Sequence, residues 1–211
     1  MGRNAKLVLI ILLCILAAFA VSQIIALYWG SPDSGIGFRI TLVHANGSIE
    51  VIDSRDSPQA VLINPKTGLP VETIQVELYI KPVFYGKIAS YACQGSLRMQ
   101  IIEVDTGTVC YTQTQPLMQL FSPNLESGKA VVISSATVQA SVLESLYSGW
   151  KEGKQYKFVY ICDSLTCTVE YVGGKTETVQ AKNLPAKAEV VFTYTAGMMT
   201  DLQVNFNIPN V

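Results

Sequence analysis

The feature that most constrains this chain is an uncharged apolar run over residues 7–29, interrupted only by Ser22 and Gln23. At a helical rise of about 1.5 Å per residue the run is roughly 34 Å long, enough to cross a hydrocarbon core of about 30 Å with slight tilt. Arg3 and Lys6 precede it, and Tyr28 and Trp29 close it. Cations held on the cytoplasmic side and aromatics at the far interface are the usual flanks of a spanning helix. The run therefore predicts a transmembrane signal-anchor helix over residues 7–29, with residues 1–6 in the cytoplasm. Residues 30–37 then form a linker and residues 38–211 an extracellular domain on a single-pass protein of the cell membrane.

The same stretch supports two further readings. Arg3 and Lys6, the apolar core of residues 7–16 and the Ala18-Phe19-Ala20 site are the parts of a cleavable signal peptide. Cutting after Ala20 leaves either a secreted protein or, because residues 21–29 are too apolar to stay in water, a segment that pairs with an open sheet edge of another subunit. A leader ending at Lys6 leaves Leu7 first. A long apolar amino-terminal helix followed by a β head resembles the layout of archaeal type IV pilins over about the first 30 residues. That resemblance implies a filament subunit as the alternative to a tethered surface protein. Cys14 follows Leu12 and Leu13, so no lipobox is made.

After residue 30 lie all sixteen acidic residues and thirteen of the fifteen basic ones, a balance of about −3 with no basic cluster to track a phosphate backbone. Nucleic acid is excluded as an expected partner. Four cysteines fall beyond the run, Cys93, Cys110, Cys162 and Cys167, an even number in an oxidising space. With one histidine and no C-x-x-C there is no zinc-site spacing.

The remainder alternates with a period of two and predicts an all-β domain. Phe38, Ile40 and Leu42 share one face, Asn46-Gly47 supplies a two-residue turn with both residues at positive φ, and Ile49 and Val51 resume the alternation. Asn46-Gly47-Ser48 is also the only N-x-[ST] triplet, which makes Asn46 the candidate glycosylation site. Residues 60–64 are read as a short strand, and Ile74, Val76, Leu78 and Ile80 as one face of a longer strand ended by Pro82. Leu97, Met99 and Ile101 form another face, with a bulge near Ile101 to explain the shift to Ile102 and Val104. Residues 105–108 turn the chain back into a strand over residues 109–115, which predicts a Cys93–Cys110 disulfide between neighbouring strands. Residues 116–128 are read as irregular, with Leu117, Met118, Leu120 and Phe121 capping the core.

Val138, Val142, Leu143, Leu146, Tyr147 and Trp150 recur at helical steps and predict one helix ending near Gly149. Tyr156, Phe158, Tyr160 and Cys162 then share a strand face, and a loop of Asp163, Ser164, Leu165 and Thr166 sets Cys162 opposite Cys167 as a second disulfide. Two strands close the chain, residues 189–195 and the alternation of Leu202, Val204, Phe206 and Ile208. The stretch from Glu152 to Phe158 resembles the entry to the late strands of fibronectin type III or immunoglobulin-like sandwiches, and Tyr160-Ile161-Cys162 is similar to the tyrosine two before the second immunoglobulin cysteine. The expectation is an immunoglobulin-like or jelly-roll-type two-sheet sandwich with one short helix.

The motifs that carry a mechanism by their spacing, such as G-x-S-x-G, H-E-x-x-H and the P-loop, do not occur. His44 stands alone and shares parity with the core face, where a hydrogen-bonded rim histidine is expected. The turn-rich stretch at Asp53 and Asp56 is read as a solvated loop. Glu50, Asp53, Glu77 and Glu103 are the carboxylates that folding could pair. The chain is read as a non-enzyme without cofactor or metal. Its expected role is structural, adhesive or binding at the cell surface, with other surface proteins or further copies of itself as partners.

Overall fold

The computed structural model describes residues 36–56, 69–181 and 184–209. The apolar run of residues 7–29 and the strand expected at residues 60–64 lie outside the described residues. Among the described residues no helix is long and apolar enough to cross a membrane.

Among the described residues ten antiparallel strands carry the fold: β1 (Gly37–His44), β2 (Ile49–Asp53), β3 (Val71–Ile80), β4 (Ile88–Glu103), β5 (Val109–Phe121), β6 (Val131–Gln139), β7 (Gln155–Tyr171), β8 (Thr176–Gln180), β9 (Ala186–Thr195) and β10 (Met198–Asn207). The hydrogen-bonded path runs β2-β1-β3-β10-β9-β7-β4-β5, with β6 on the free side of β3 and β8 on β7. One residue pair, Met199 with Val71, joins β10 to β3. At that weak seam the path folds into two facing layers, a sandwich-like all-β arrangement. The Phe38 ring of β1 meets the Tyr160 ring of β7 edge-on at 6.4 Å, and the Tyr160 hydroxyl donates to Ser134 Oγ on β6 at 2.8 Å.

Alternation decides which side chains fill the space between the layers. On β1 Phe38, Ile40 and Leu42 are fully buried, as are Ile74, Val76 and Leu78 on β3 and Tyr156, Phe158 and Cys162 on β7. The hairpin of β1 and β2 forms as expected, but only Gly47 takes positive φ (+81°). The loop holds four residues, and Asn46 Oδ1 accepts from Ser48 N at 2.9 Å, so one left-handed glycine suffices.

β4 and β7, the two longest strands, pair along nearly their whole length. The loop expected at residues 163–166 is instead the middle of β7. Asp163 is an extra residue there, since Ser96 pairs Ser164 while Leu97 pairs Cys162, and the bulge moves the buried face from even to odd numbers. Hence Leu165, Cys167 and Val169 stay inside with Tyr160 and Cys162. Arg98 Nη2 holds Asp163 Oδ1 at 2.8 Å. Beside the bulge the backbones press so close that a Cβ on Gly95 would lie 2.1 Å from the Ser164 carbonyl oxygen.

The bulge expected in β4 near Ile101 sits across the ladder at Cys110, because Ile101 pairs Tyr111 and Ile102 pairs Val109. β4 keeps its parity, and Glu103 takes the inward position. The irregular stretch expected from residue 116 is strand as far as Phe121. Leu117 is buried, whereas Met118 and Leu120 stand 76% and 71% exposed on an edge strand and cap nothing. Pro116 is tolerated there because an edge strand has one side without ladder partners. Of the helix expected from residue 138, Val138 and Gln139 are absorbed by β6. What remains is a 3-10 turn (Ala140–Val142) and the four-residue α1 (Leu143–Leu146), after which Trp150 packs against Tyr156 at 4.4 Å and stacks on Tyr194 at 5.2 Å. Trp150 Nε1 donates to the Leu143 carbonyl at 2.7 Å, which anchors the turn that the apolar spacing had suggested as helix.

Two outcomes test this packing. Gly95→Ala forces backbone apart at the centre of the β4–β7 ladder and should cost about 2 to 4 kcal/mol in urea denaturation, whereas Gly86→Ala, which meets open space but sits at φ +88°, should cost about 1 to 2 kcal/mol from the backbone alone. Glu103 is held below its ordinary value of 4.5 by the Lys151 ammonium at 3.0 Å and the Thr106 hydroxyl at 3.0 Å. A lowered folded pKa gives stability that is complete above the ordinary carboxylate value and is lost as pH falls through the folded one. Glu103→Gln should therefore flatten the acid side of a stability profile between about pH 6 and pH 3 while leaving its slope above pH 6 unchanged.

Candidate functional site

β3 stops at Ile80, ahead of Pro82, which has no amide hydrogen to extend the ladder. β7 runs on to Tyr171 and turns through Val172, Gly173 and Gly174 into β8, with Tyr171 N donating to the Lys175 carbonyl at 2.8 Å. The β7–β8 hairpin therefore projects beyond the layer that should cover it. Residues 81–87 cross the gap only in part, tied by Gly128 N to the Pro82 carbonyl at 2.7 Å and by Val172 N to the Lys87 carbonyl at 3.0 Å. What is left is an open-mouthed cavity of about 480 Å³.

Its floor is Leu165, Cys167 and Val169 of β7 with Tyr91 of β4; its rim is Lys81, Pro82, Val83 and Tyr85 on one side and Lys175, Glu177 and Val179 on the other. The Tyr91 ring is held between Phe84 at 6.3 Å and Phe121 at 6.2 Å. At the mouth Lys175 Nζ lies 2.6 Å from Glu177 Oε1 and 5.8 Å from the centre of the Tyr171 ring, while the Tyr171 hydroxyl donates to Glu177 Oε2 at 3.0 Å. Glu177 is held below the usual carboxylate range first by the Lys175 hydrogen bond and then by that of Tyr171. The size and the apolar walls with a few polar groups at one end suit a small organic ligand.

The four cysteines are placed otherwise than expected, and all are free thiols. Cys162 and Cys167 lie on one continuous strand, so no turn sets them face to face. Cys110 sits at the bulge beside Ile101 and Ile102, eight to nine residues and so roughly 29 Å along β4 from Cys93 at a strand rise of about 3.4 Å per residue. Both expected pairings thus lose their geometry. Cys93 instead pairs Cys167 directly across the β4–β7 ladder, with the sulfurs 3.0 Å apart. Asn46 is exposed on the β1–β2 turn.

Folding brings two of the four candidate carboxylates, Asp53 and Glu77, to one arginine and leaves Glu50 and Glu103 apart. Glu50 Oε2 is 3.6 Å from His44 Nε2; His44 is buried at 2% exposure rather than placed on a rim. Asp53 and Glu77 flank Arg39 at 3.6 and 3.3 Å. Asp53 also accepts from Tyr79, whose hydroxyl is pushed up to about 12 by burial and by that hydrogen bond. Glu103 lies at the far end of β4. Among the described residues no three histidine, cysteine or carboxylate groups are placed to hold a metal ion.

The cavity was not anticipated from the sequence. Its one local signal is the Gly173-Gly174 pair between the alternating stretches of residues 165–171 and 175–179, which marks a hairpin. Nothing local reveals that the opposite layer stops short. No family model matches the chain, and no curated protein matches it.

Replacing Tyr171 by phenylalanine removes one of the two hydrogen bonds on the Glu177 carboxylate. A carbon-13 carboxylate titration of the variant should show Glu177 moving up toward the ordinary value of 4.5, and no change there would separate Glu177 from Tyr171.

Proposed function

We propose that this is a membrane-tethered, extracellular β-sandwich protein that binds at the cell surface, and that the cavity under the β7–β8 hairpin is its binding site. The tether is read from residues 7–29. The observation that carries the binding role is the cavity itself, walled by Tyr85, Tyr91 and Tyr171 and bearing two cations, Lys81 and Lys175, against one carboxylate, Glu177. That charge balance favours an apolar group ending in an anion, such as an aryl or alkyl carboxylate, with its ring among the tyrosines and its carboxylate at the lysines. An immunoglobulin-like variant of the sandwich is the finer reading. It is supported by Tyr160 and Cys162, both buried on β7, and by the Trp150 cluster packed over Tyr156 and Phe192.

A second reading, a filament subunit, is favoured by one observation. β5 is an edge strand with Met118 and Leu120 exposed, an apolar strip of the kind that pairs or stacks with another copy.

Isothermal titration of the full chain with 4-phenylbutyrate tests the binding role. A one-to-one isotherm with Kd below about 1 mM is expected, weakened at least tenfold by Val179→Trp, which fills the mouth, and tightened about threefold by Glu177→Gln, which removes the competing carboxylate. Equal heats for the native chain and Val179→Trp would end the proposal. The intact mass of native protein, read with negative-stain images of surface preparations, separates the tether from the filament. Full-length mass without fibres is expected; a start at Val21 or Leu7 together with regular fibres would favour the second reading.

A further inference from the structure

We infer that Cys93 and Cys167 form a dithiol–disulfide couple, with Cys167 as the sulfur that meets an incoming oxidant in the cavity and Cys93 as the sulfur that resolves it. The inference rests on the ladder and the cavity, whatever ligand the cavity takes. Directly opposed residues of an antiparallel pair have Cα atoms about 4.5 to 5.5 Å apart, inside the range of about 4.4 to 6.8 Å that a disulfide spans. The two sulfurs already touch at 3.0 Å across paired positions, so closing the bond needs side-chain rotation rather than backbone movement.

The two thiols differ in access. Cys167 lines the cavity floor, whereas Cys93 is fully buried behind it. They also differ in proton affinity: hydrogen bonds from Cys93 and from Tyr91 hold the Cys167 thiol below its ordinary value, and the same contact together with burial pushes the Cys93 thiol up. The more acidic thiol is therefore the one that faces the solvent path, as attack on a disulfide requires. Cys162 is excluded as the partner, because the Asp163 bulge separates it along β7, its Sγ contacts the Ser164 carbonyl at 3.6 Å, and burial pushes its thiol up to about 12.

The chemistry balances with a small dialkyl disulfide as oxidant. The Cys167 thiolate attacks one sulfur, the external S–S bond breaks, and the first alkyl thiolate leaves and takes up the Cys167 proton. Cys93 then gives its proton to the second alkyl thiolate as its sulfur attacks that of Cys167. Two protein thiols are oxidised to one disulfide, and one external disulfide is reduced to two thiols.

Full-length protein incubated with bis(2-hydroxyethyl) disulfide, then denatured, alkylated and mapped without reduction, gives the test. The expected map links the Cys93 and Cys167 peptides and leaves Cys110 and Cys162 alkylated, and the oxidised protein melts roughly 5 to 10 °C above the reduced one. Cys93→Ser should trap hydroxyethyl thiol on Cys167, whereas Cys167→Ser should leave Cys93 unmodified in the folded state, with circular dichroism confirming the fold of each. A Cys162–Cys167 or Cys93–Cys162 link, two unmodified thiols at Cys93 and Cys167, or an adduct on Cys93 in the Cys167→Ser variant would overturn it.

Discussion

The pairing of β4 with β7 is the constraint on which the rest of the molecule depends. It is an antiparallel ladder running from Ile88 against Tyr171 to Glu103 against Tyr156; β5, β8 and β9 attach directly to one of its two members, and β10 attaches through β9. Its free energy is collective, since each cross-strand pair is worth only a few tenths of a kcal/mol to about 1 kcal/mol. Of its two register shifts, one at the Ile88 end and one at mid-ladder, the second makes it specific. The extra residue at Asp163 shifts the buried face by one position and so lets a seventeen-residue strand keep apolar side chains inward along both halves. Gly95 admits the close backbone approach, and Arg98 fixes the displaced Asp163.

The length of that ladder also creates the cavity. A strand that continues past the end of the facing layer must either expose its inner side chains or find another cover. Here a five-residue β8 and the crossing of residues 81–87 provide part of that cover, and the remaining gap is apolar at its floor and ionic at its mouth. The same geometry sets Cys167 at the floor, one ladder step from Cys93. The cavity and the exposure of Cys167 to it are thus both consequences of one strand being longer than its partner layer.

Much of the β content was legible from alternation. Phe38, Ile40 and Leu42, then Ile74, Val76 and Leu78, then Tyr156, Phe158 and Tyr160 read as strand faces and occupy the core. The failures share a cause: the meaning of a period-two pattern changes at a bulge or at an edge. Asp163, Ser164, Leu165 and Thr166 looked like a turn because the pattern of Tyr160 and Cys162 broke there, but a bulge breaks it in the same way without ending the strand. Met118 and Leu120 looked like core because they are apolar, yet an edge strand leaves its outer face in water. Val138, which fitted a helical step, fits a strand as well, and the partner strand β3 decided between the two. The cavity and the Cys93–Cys167 pairing depend on which strands meet and where they stop, and that information is spread over residues some seventy positions apart.

Native-state hydrogen exchange along β7 addresses the central claim, that the strand is one continuous member of the ladder on both sides of Asp163. Comparable slow exchange for the ladder-bonded amides of residues 155–162 and 164–170, matched on β4, is the expected result. Strong protection before Asp163 with fast exchange after it would show two strands joined by a turn, and would remove the cavity floor and the Cys93–Cys167 pairing together.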